Sequence, residues 1–474
     1  MTIVIMKFGG SCLTNEKAFQ KILNITKIYK DEKKVFVSSA LKGITDLLLK
    51  IAKMIEEDEF VDKNIALIEK RHIDIIEQIF TEDSEHYIKA KDWVDEKLSE
   101  LEDAFADIRE FGLEPYYQDY ILSFGELLST YILNQYLLSN GIDSIFIPAN
   151  ELIITNDVFN NAYPLYKLTN SRVKRLLIPL LENPKKKTII CIPGFIGRNK
   201  IGYITTLGRG GSDYTATIIA RALFEAGNDK KIKVILWKNV DGLLAINPKY
   251  IHNPSLIRNL DYDEAKHIAN FGAKILHPKC LEAIEVHKTP LEIRNFDKPL
   301  GKRFTEISEK TNKEQIKGIS AVELATIITI ISGSMVDVPG VLAKIFRVMS
   351  KNKISVSFVA QSSSEISTSF IIMEKDSERA ILAIKNSKFF SEFFHIKWEH
   401  VAVINIIGVK ILDNKTKADI FNALNKENVI VKAISQSLNE LNLSLVIDRE
   451  KLENAINIIH EDLYEDFEPF NETK

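Results

Sequence analysis

The chain has 474 residues, and at about 150 residues per domain that length points to roughly three domains. Its 62 Lys and Arg against 65 Asp and Glu leave a formal charge of −3, too balanced for a protein built around nucleic-acid phosphates. No apolar run reaches the ~18 residues of a membrane span, and Cys12, Cys191 and Cys280 are too scattered for a disulfide framework or a CxxC metal site. With no export-like features in the opening residues, a cytoplasmic setting without membrane or nucleic-acid partners is expected.

The first 300 residues alternate short apolar runs with helical patterns. Ile3–Phe8 reads as a strand, followed by Gly9-Gly10 and then Phe19, Ile22 and Leu23 at helical spacing. Val35–Ser38 is the next strand, and Leu47, Leu48, Ile51 and Ile55 mark the next helix. Ser144–Pro148, Thr188–Pro193 and Ile232–Trp237 continue the strand series. Nearly all-apolar strands separated by helices imply a mostly parallel sheet covered on both faces. Residues 58–112, charged and helically patterned, read as a helical excursion from this α/β domain of residues 1–298. Residues 299–316 form a polar linker.

An internal repeat follows. Shifted by 75 positions, Ile345–Ile372 lies on Ile420–Ile447 without a gap: Ile345-Phe346 meets Ile420-Phe421, Gln361-Ser362 meets Gln436-Ser437, and Ile372 meets Ile447. Residues 317–397 and 398–474 thus read as two small α+β modules, suited to paired sheets that bind a ligand or dimerise.

Several common chemistries have no support. GxxxxGK[ST], GxGxxG after a strand, the protein-kinase HRD and DFG set, HExxH and GxSxG are all missing. What the chain has instead is a series of glycine-rich strand-to-helix junctions. Lys7-Phe8-Gly9-Gly10-Ser11 puts a lysine at the carboxyl end of the first strand, where open α/β sheets bind ligands, beside two residues that let backbone N–H groups approach a phosphate. A tight turn with a surface lysine fits that run equally well.

Thr205–Asp213 carries Gly208, Gly210 and Gly211 around Arg209, then Ser212 and Asp213 at the start of an apolar helix. An arginine fork holds a carboxylate and an aspartate holds an ammonium, so the pair suits a zwitterionic amino acid. Ser123–Ser129 places Glu126 at what reads as a helix entry, as a cap or as a second carboxylate for an amine. Trp237–Gly242 follows a strand, and Phe271–Pro278 ends a helix and brings Lys274 within reach of a phosphate.

Together and in this order, these segments resemble an aspartokinase of the amino acid kinase family. Thr205–Asp213 matches its TTLGRGGSD motif, Phe271–Pro278 its FGAKxLHP segment and Ser123–Ser129 its SFGExxS segment, and the repeat falls where the family carries two ACT modules. The resemblance implies a three-layer amino acid kinase fold with a C-terminal ACT pair. It also implies Mg²⁺-assisted transfer of the γ-phosphoryl group of ATP to the β-carboxylate of L-aspartate, the first step toward lysine, threonine and methionine. Carried over by position, Lys7, Asp213 and Lys274 take catalytic roles. Ser39, Thr45, Glu126, Arg209 and Ser212 surround aspartate, and Lys7, Gly9, Gly10, Lys238, Asn239, Leu244, Lys249 and Lys274 meet ATP.

In the first module, Met335, Val338, Gly340, Val341, Leu342, Ser355, Val356 and Gln361 fall in segments that resemble the family's effector-binding turn and strand. The implied regulation is feedback inhibition by lysine or threonine, and the implied assembly is a homodimer or dimer of dimers through the ACT modules. The chain departs from the family where WTDVxG becomes Trp237-Lys238-Asn239-Val240-Asp241-Gly242, where a tyrosine becomes Leu244, and where Asp-Pro-Arg becomes Asn247-Pro248-Lys249. A raised KM for ATP is expected from those changes. The alternatives are an amino acid kinase with another acidic acceptor, or a weakly catalytic amino-acid sensor.

Overall fold

The computed structural model describes residues 2–57, 61–183, 186–227, 231–271, 275–309, 316–331, 340–362, 366–438 and 440–464. The chain folds into two compact units: residues 1–243, 258–262 and 274–311, and residues 244–257, 263–273 and 312–474. No helix among the described residues is long and apolar enough to cross a membrane.

The strands are β1 Ile3–Phe8, β2 Lys33–Ser38, β3 Ser144–Phe146, β4 Ile189–Pro193, β5 Ile196–Arg198, β6 Ile204–Thr206, β7 Ile232–Lys238, β8 Asn259–Leu260, β9 Leu291–Asn295 and β10 Phe304–Ile307. In chain order the helices up to residue 285 are α1 Glu16–Ile28, α2 Ile44–Glu56, α3 Asp62–Ile79, α4 Glu85–Phe111, α5 Pro115–Ser139, α6 Ala149–Leu152, α7 Tyr166–Leu176, α8 Ile178–Glu182, α9 Gly211–Glu225, α10 Tyr262–Phe271 and α11 Pro278–Glu285, of which α10 lies almost wholly in the second unit. Eight strands form one sheet in the order β3-β4-β2-β1-β7-β9-β10-β8, and β5 and β6 make a separate hairpin.

Every neighbour pair in the large sheet is parallel except β9 with β10. All six residues of β1 and all six of β2 are buried, because helices cover both faces, and this is why these strands read as unbroken apolar runs. Lys33 and Lys34 are the exceptions at the start of β2. The ammonium of Lys34 donates to the carbonyls of Tyr29 and Glu32, and burial lowers its pKa to about 8. Helix α1 is capped by the Asn15 side chain, which accepts from the Ala18 N–H, and it buries Phe19, Ile22 and Ile25 against the sheet core. The charged excursion forms α3 and α4. Ser84 caps α4 at one end and Gly112, at φ +86°, follows its last residue.

The second unit is organised by one antiparallel six-stranded sheet. Its strands are β11 Gly318–Ile331, β12 Phe358–Gln361, β13 Ser367–Met373, β14 His395–Ile407, β15 Val431–Ser435 and β16 Asn442–Asp448, in the order β12-β13-β11-β14-β16-β15. Helices α12 Val341–Lys351, α13 Ser377–Lys385, α14 Lys388–Phe393, α15 Asn414–Lys426 and α16 Leu452–Tyr464 complete it. The two sequence repeats therefore share a sheet, with long β11 and β14 paired at its centre in the register Ala325 to Val401. Glu374 and Arg449 occupy positions 75 residues apart, so they are equivalent in the repeat, and they bind one another at 3.2 Å through both guanidinium nitrogens.

Phe370 on β13 is fully buried with Ile328, Ile330 and Ile345. Phe370→Ala is expected to cost about 3–5 kcal/mol and to lower the calorimetric transition of this unit. An unshifted transition would mean that this core does not hold the unit together.

Candidate active site

The carboxyl ends of β1 and β7 lie side by side, with Lys7 opposite Leu236 and Phe8 opposite Trp237. Two lysines converge there on one carboxylate. Lys7 Nζ lies 2.8 Å from Asp213 Oδ1, and Lys238 Nζ lies 2.6 Å from Asp213 Oδ2. Lys7 is 6% exposed and Asp213 5%. Burial disfavours the charged form of Asp213, but the two ammonium groups outweigh it and hold its pKa down to about 2. Asp213 stands in the first turn of α9, whose N-terminal dipole adds to the same effect.

The turn after β1 needs a glycine at position 10. A Cβ at Gly10 would lie 2.7 Å from the Ala40 carbonyl and 3.1 Å from the Lys42 nitrogen, both rigid backbone atoms. A Cβ at Gly9 would meet nothing closer than Lys7 Nζ, at an ordinary contact distance of 3.4 Å, so the steric demand for glycine falls on Gly10. In the Thr205–Asp213 segment, Gly208 at φ +76° and Gly210 at φ +73° flank Arg209. Arg209 between them is exposed and makes no ion pair with Asp213. Gly210 packs against His277, while Gly194 leaves room for Ser212, which is 9% exposed.

Glu126 lies in the middle of α5, not at a helix entry as its sequence context predicts. The helix begins well upstream at Pro115, whose fixed φ suits a first helical position. Glu126 is 3% exposed and its Oε2 has no hydrogen-bond partner among the described residues. Burial raises its pKa to about 8, although the Ala40 N–H and Lys7 oppose the shift. Ser39 lies just beyond β2. Its N–H donates to the Phe8 carbonyl at 3.0 Å, and its carbonyl accepts from Ser129 Oγ at 2.7 Å. Thr45 is partly buried in the first turn of α2.

Lys7, Gly9, Gly10, Ser39, Thr45, Glu126, Arg209, Ser212, Asp213, Lys238 and Asn239 all belong to the first unit. Asn239 is exposed and lines a cavity of about 300 Å³ together with Ser11, Thr14, Asn15, Phe296 and Asp297. Leu244 and Lys249 belong to the second unit, where Lys249 Nζ is 2.6 Å from Glu323 and the Ala245 carbonyl accepts from the Ile319 N–H. Lys274 lies outside the described residues, as do Met335 and Val338.

Among the other predicted effector residues, Gly340 at φ +91° precedes α12 and Val341 is buried in its first turn. Leu342 and Val356 pack against the same core, while Ser355 and Gln361 are exposed. Polar residues that the sequence did not single out, Asp119, Asn161 and Lys279, make contacts near these segments. Lys279 Nζ donates to Asn161 Oδ1 at 2.5 Å and lies 4.2 Å from the centre of the Tyr163 ring. Its place just after the FGAKxLHP segment was the one available signal.

A mostly parallel sheet with lysines, glycine turns and a helix N-terminus at its carboxyl edge suits a phosphate-bearing ligand. The amino acid kinase family model matches residues 2–295, and an ACT domain model matches residues 328–387 and 404–463. The chain belongs to the amino acid kinase family.

It is similar to Aspartokinase 1, chloroplastic, of Arabidopsis thaliana, at 29% identity over 97% of this chain and 80% of that protein. It is also similar to the bifunctional aspartokinase/homoserine dehydrogenase of Buchnera aphidicola, at 28% identity, although it spans only 56% of that longer protein. Among solved structures, the E. coli aspartokinase III complex with aspartate and ADP matches with a TM-score of 0.80 at 24% identity, covering 98% of this chain and all of that one. Clostridium acetobutylicum aspartate kinase matches with a TM-score of 0.76 at 23% identity and the same coverage. These two structural matches show a shared fold.

Proposed function

We propose that the chain is an aspartate kinase, which transfers the γ-phosphoryl group of ATP to the β-carboxylate of L-aspartate and yields 4-phospho-L-aspartate and ADP. The observation that carries this reading is the Lys7–Asp213–Lys238 cluster at the mouth of β1 and β7. Two ammonium groups face one carboxylate, so the cluster holds a surplus positive charge where a triphosphate would lie. The aspartokinase relatives and the family membership support the choice of acceptor.

A carboxylate nucleophile with a pKa near 4 is already ionised at neutral pH, so the reaction needs no general base. An oxygen of the β-carboxylate forms a bond to the γ-phosphorus as the bond from that phosphorus to the β,γ-bridging oxygen breaks, and ADP leaves with the electron pair. The barrier comes from bringing two anions together. Lys7 and Lys238 lower it by neutralising the phosphoryl oxygens, and the N–H groups around Gly9 and Gly10 offer further donors.

Arg209 would hold the α-carboxylate. Glu126, Ser39, Thr45 and Ser212 would line the remainder of the aspartate site, and Asn239, Leu244, Lys249 and Lys274 would meet the nucleotide. Both oxygens of Asp213 are held by lysines, and no cluster of three metal-ligating side chains occurs among the described residues. Mg²⁺ carried in with ATP would add charge neutralisation to that of Lys7 and Lys238. The paired ACT modules would bind lysine or threonine as a feedback inhibitor and join two chains in a cytoplasmic homodimer.

Purified protein should release ADP from Mg-ATP with L-aspartate and much more slowly with L-glutamate. Lysine or threonine should slow that release. Equal rates with the two acceptors would contradict the assignment.

A further inference from the structure

Helix α5 holds a second buried carboxylate, Asp119, that carries none of the roles assigned above. Asp119 is fully buried and faces no cation among its hydrogen-bond partners. Its two oxygens accept four contacts instead. The Asn160 N–H reaches Oδ1 and Oδ2 at 3.0 and 2.9 Å, the Thr206 N–H reaches Oδ2 at 2.7 Å, and Thr206 Oγ1 reaches Oδ1 at 2.7 Å. A buried carboxylate is costly to keep charged without a cation, and these donors from two segments are the compensation it receives here.

Those segments bear on the arginine turn. The Ala162 N–H donates to the Thr206 carbonyl at 2.9 Å. A Cβ at Gly208 would lie 2.7 Å from Asn161 Oδ1 and 3.0 Å from the Asn160 carbonyl, so the 160–161 segment packs directly on the residue before Arg209. Asn160 itself adopts φ +63°. Asp119 and Glu126 are seven residues apart on one helix, which is two turns and about 10 Å along the same face. The Thr206–Asp119 contacts thus join the strand end that leads into Arg209 to the helix that carries Glu126.

We infer that Asp119 is a positioning residue for the amino-acid pocket: it ties the Thr206–Arg209 turn to the helix that carries Glu126. The consequence for aspartate rests on the function proposed above, whereas the placement of the turn does not.

Two readouts separate these statements. Trypsin cleavage after Arg209, mapped by mass spectrometry on the folded full chain, reads the order of the turn without any substrate. Asp119→Asn presents an amide N–H to groups that already donate, and Thr206→Val removes one donor. Both variants should be cut there at least tenfold faster than the wild type, while Thr206→Ser, which keeps the hydroxyl, should stay within twofold. In steady-state kinetics Thr206→Val should raise the KM for aspartate about tenfold and leave kcat and the KM for ATP within twofold. Unchanged cleavage at Arg209 in both variants overturns the inference, as does a loss shared equally among kcat and both KM values. A wild-type enzyme that turns over another acceptor counts against the aspartate reading alone, because the cleavage result still decides the placement.

Discussion

Lys7→Ala is expected to lower kcat by about 10²–10³-fold, the usual loss when one fixed donor to developing charge is removed. The residue is 6% exposed, so the variant leaves a small buried gap that a mobile surface lysine cannot refill. Asp213 retains Lys238 at 2.6 Å and stays ionised, so the fold around the cluster should survive. Lys238→Ala should act differently. This lysine stands where the resembled family has a threonine, and its side chain is more open, at 18% exposure against 8% for Lys7. Its removal should raise the KM for ATP about tenfold with a smaller change in kcat. Initial-rate kinetics with both variants tests the division of labour. Near-full turnover by Lys7→Ala would remove that lysine from the mechanism.

The second large effect is a pH dependence centred on Glu126. Burial raises its pKa to about 8, so at neutral pH the ligand-free site holds a protonated carboxyl. An ammonium placed beside Glu126 favours the carboxylate, and binding should then release a proton. Apparent affinity for aspartate should rise as pH increases toward 8, by up to about tenfold per unit, and level off above it. Glu126→Gln cannot titrate, so it should flatten the profile and bind aspartate more weakly at pH 8.

The same proton has a stability consequence of definite sign. The folded state keeps a proton that the unfolded chain loses above the ordinary carboxylate value, so ligand-free stability should fall as pH rises from about 4.5 to about 8. Glu126→Gln should remove that slope. Calorimetric melts across this window, with and without aspartate, check both statements. A pH-independent aspartate affinity in the wild type would mean that Glu126 does not meet the ammonium.

The elements that could be read from the residues are those whose environment is uniform. Strands β1, β2, β4 and β7 are buried on both faces, so their apolar runs stand out and their limits fall within two residues of expectation. The helical excursion was legible because α3 and α4 each bury one face and leave the other charged. Glu126 was misplaced for the opposite reason. Helix α5 is buried along most of its length, so periodicity marks neither its start nor its faces, and the proline that opens it carried the only signal.

The glycine-rich segments named the right neighbourhood, but spacing along a chain says nothing of sheet order. Only the β2-β1-β7 arrangement brings Lys7 and Lys238 to one aspartate. Asp119 was invisible for a related reason: its partners lie 41 and 87 residues away, and a lone aspartate carries no pattern. The repeat announced two modules, yet their merger into one sheet depends on the β11–β14 pairing, which a repeat alone does not specify.

The most direct measurement is to incubate the full chain with Mg-ATP, L-aspartate and hydroxylamine and to quantify the hydroxamate that traps an acyl phosphate. The account predicts hydroxamate in proportion to ADP, dependent on aspartate and reduced by about 10²–10³-fold in Lys7→Ala. ADP release with no hydroxamate, or hydroxamate formation unaffected by loss of Lys7, would contradict it.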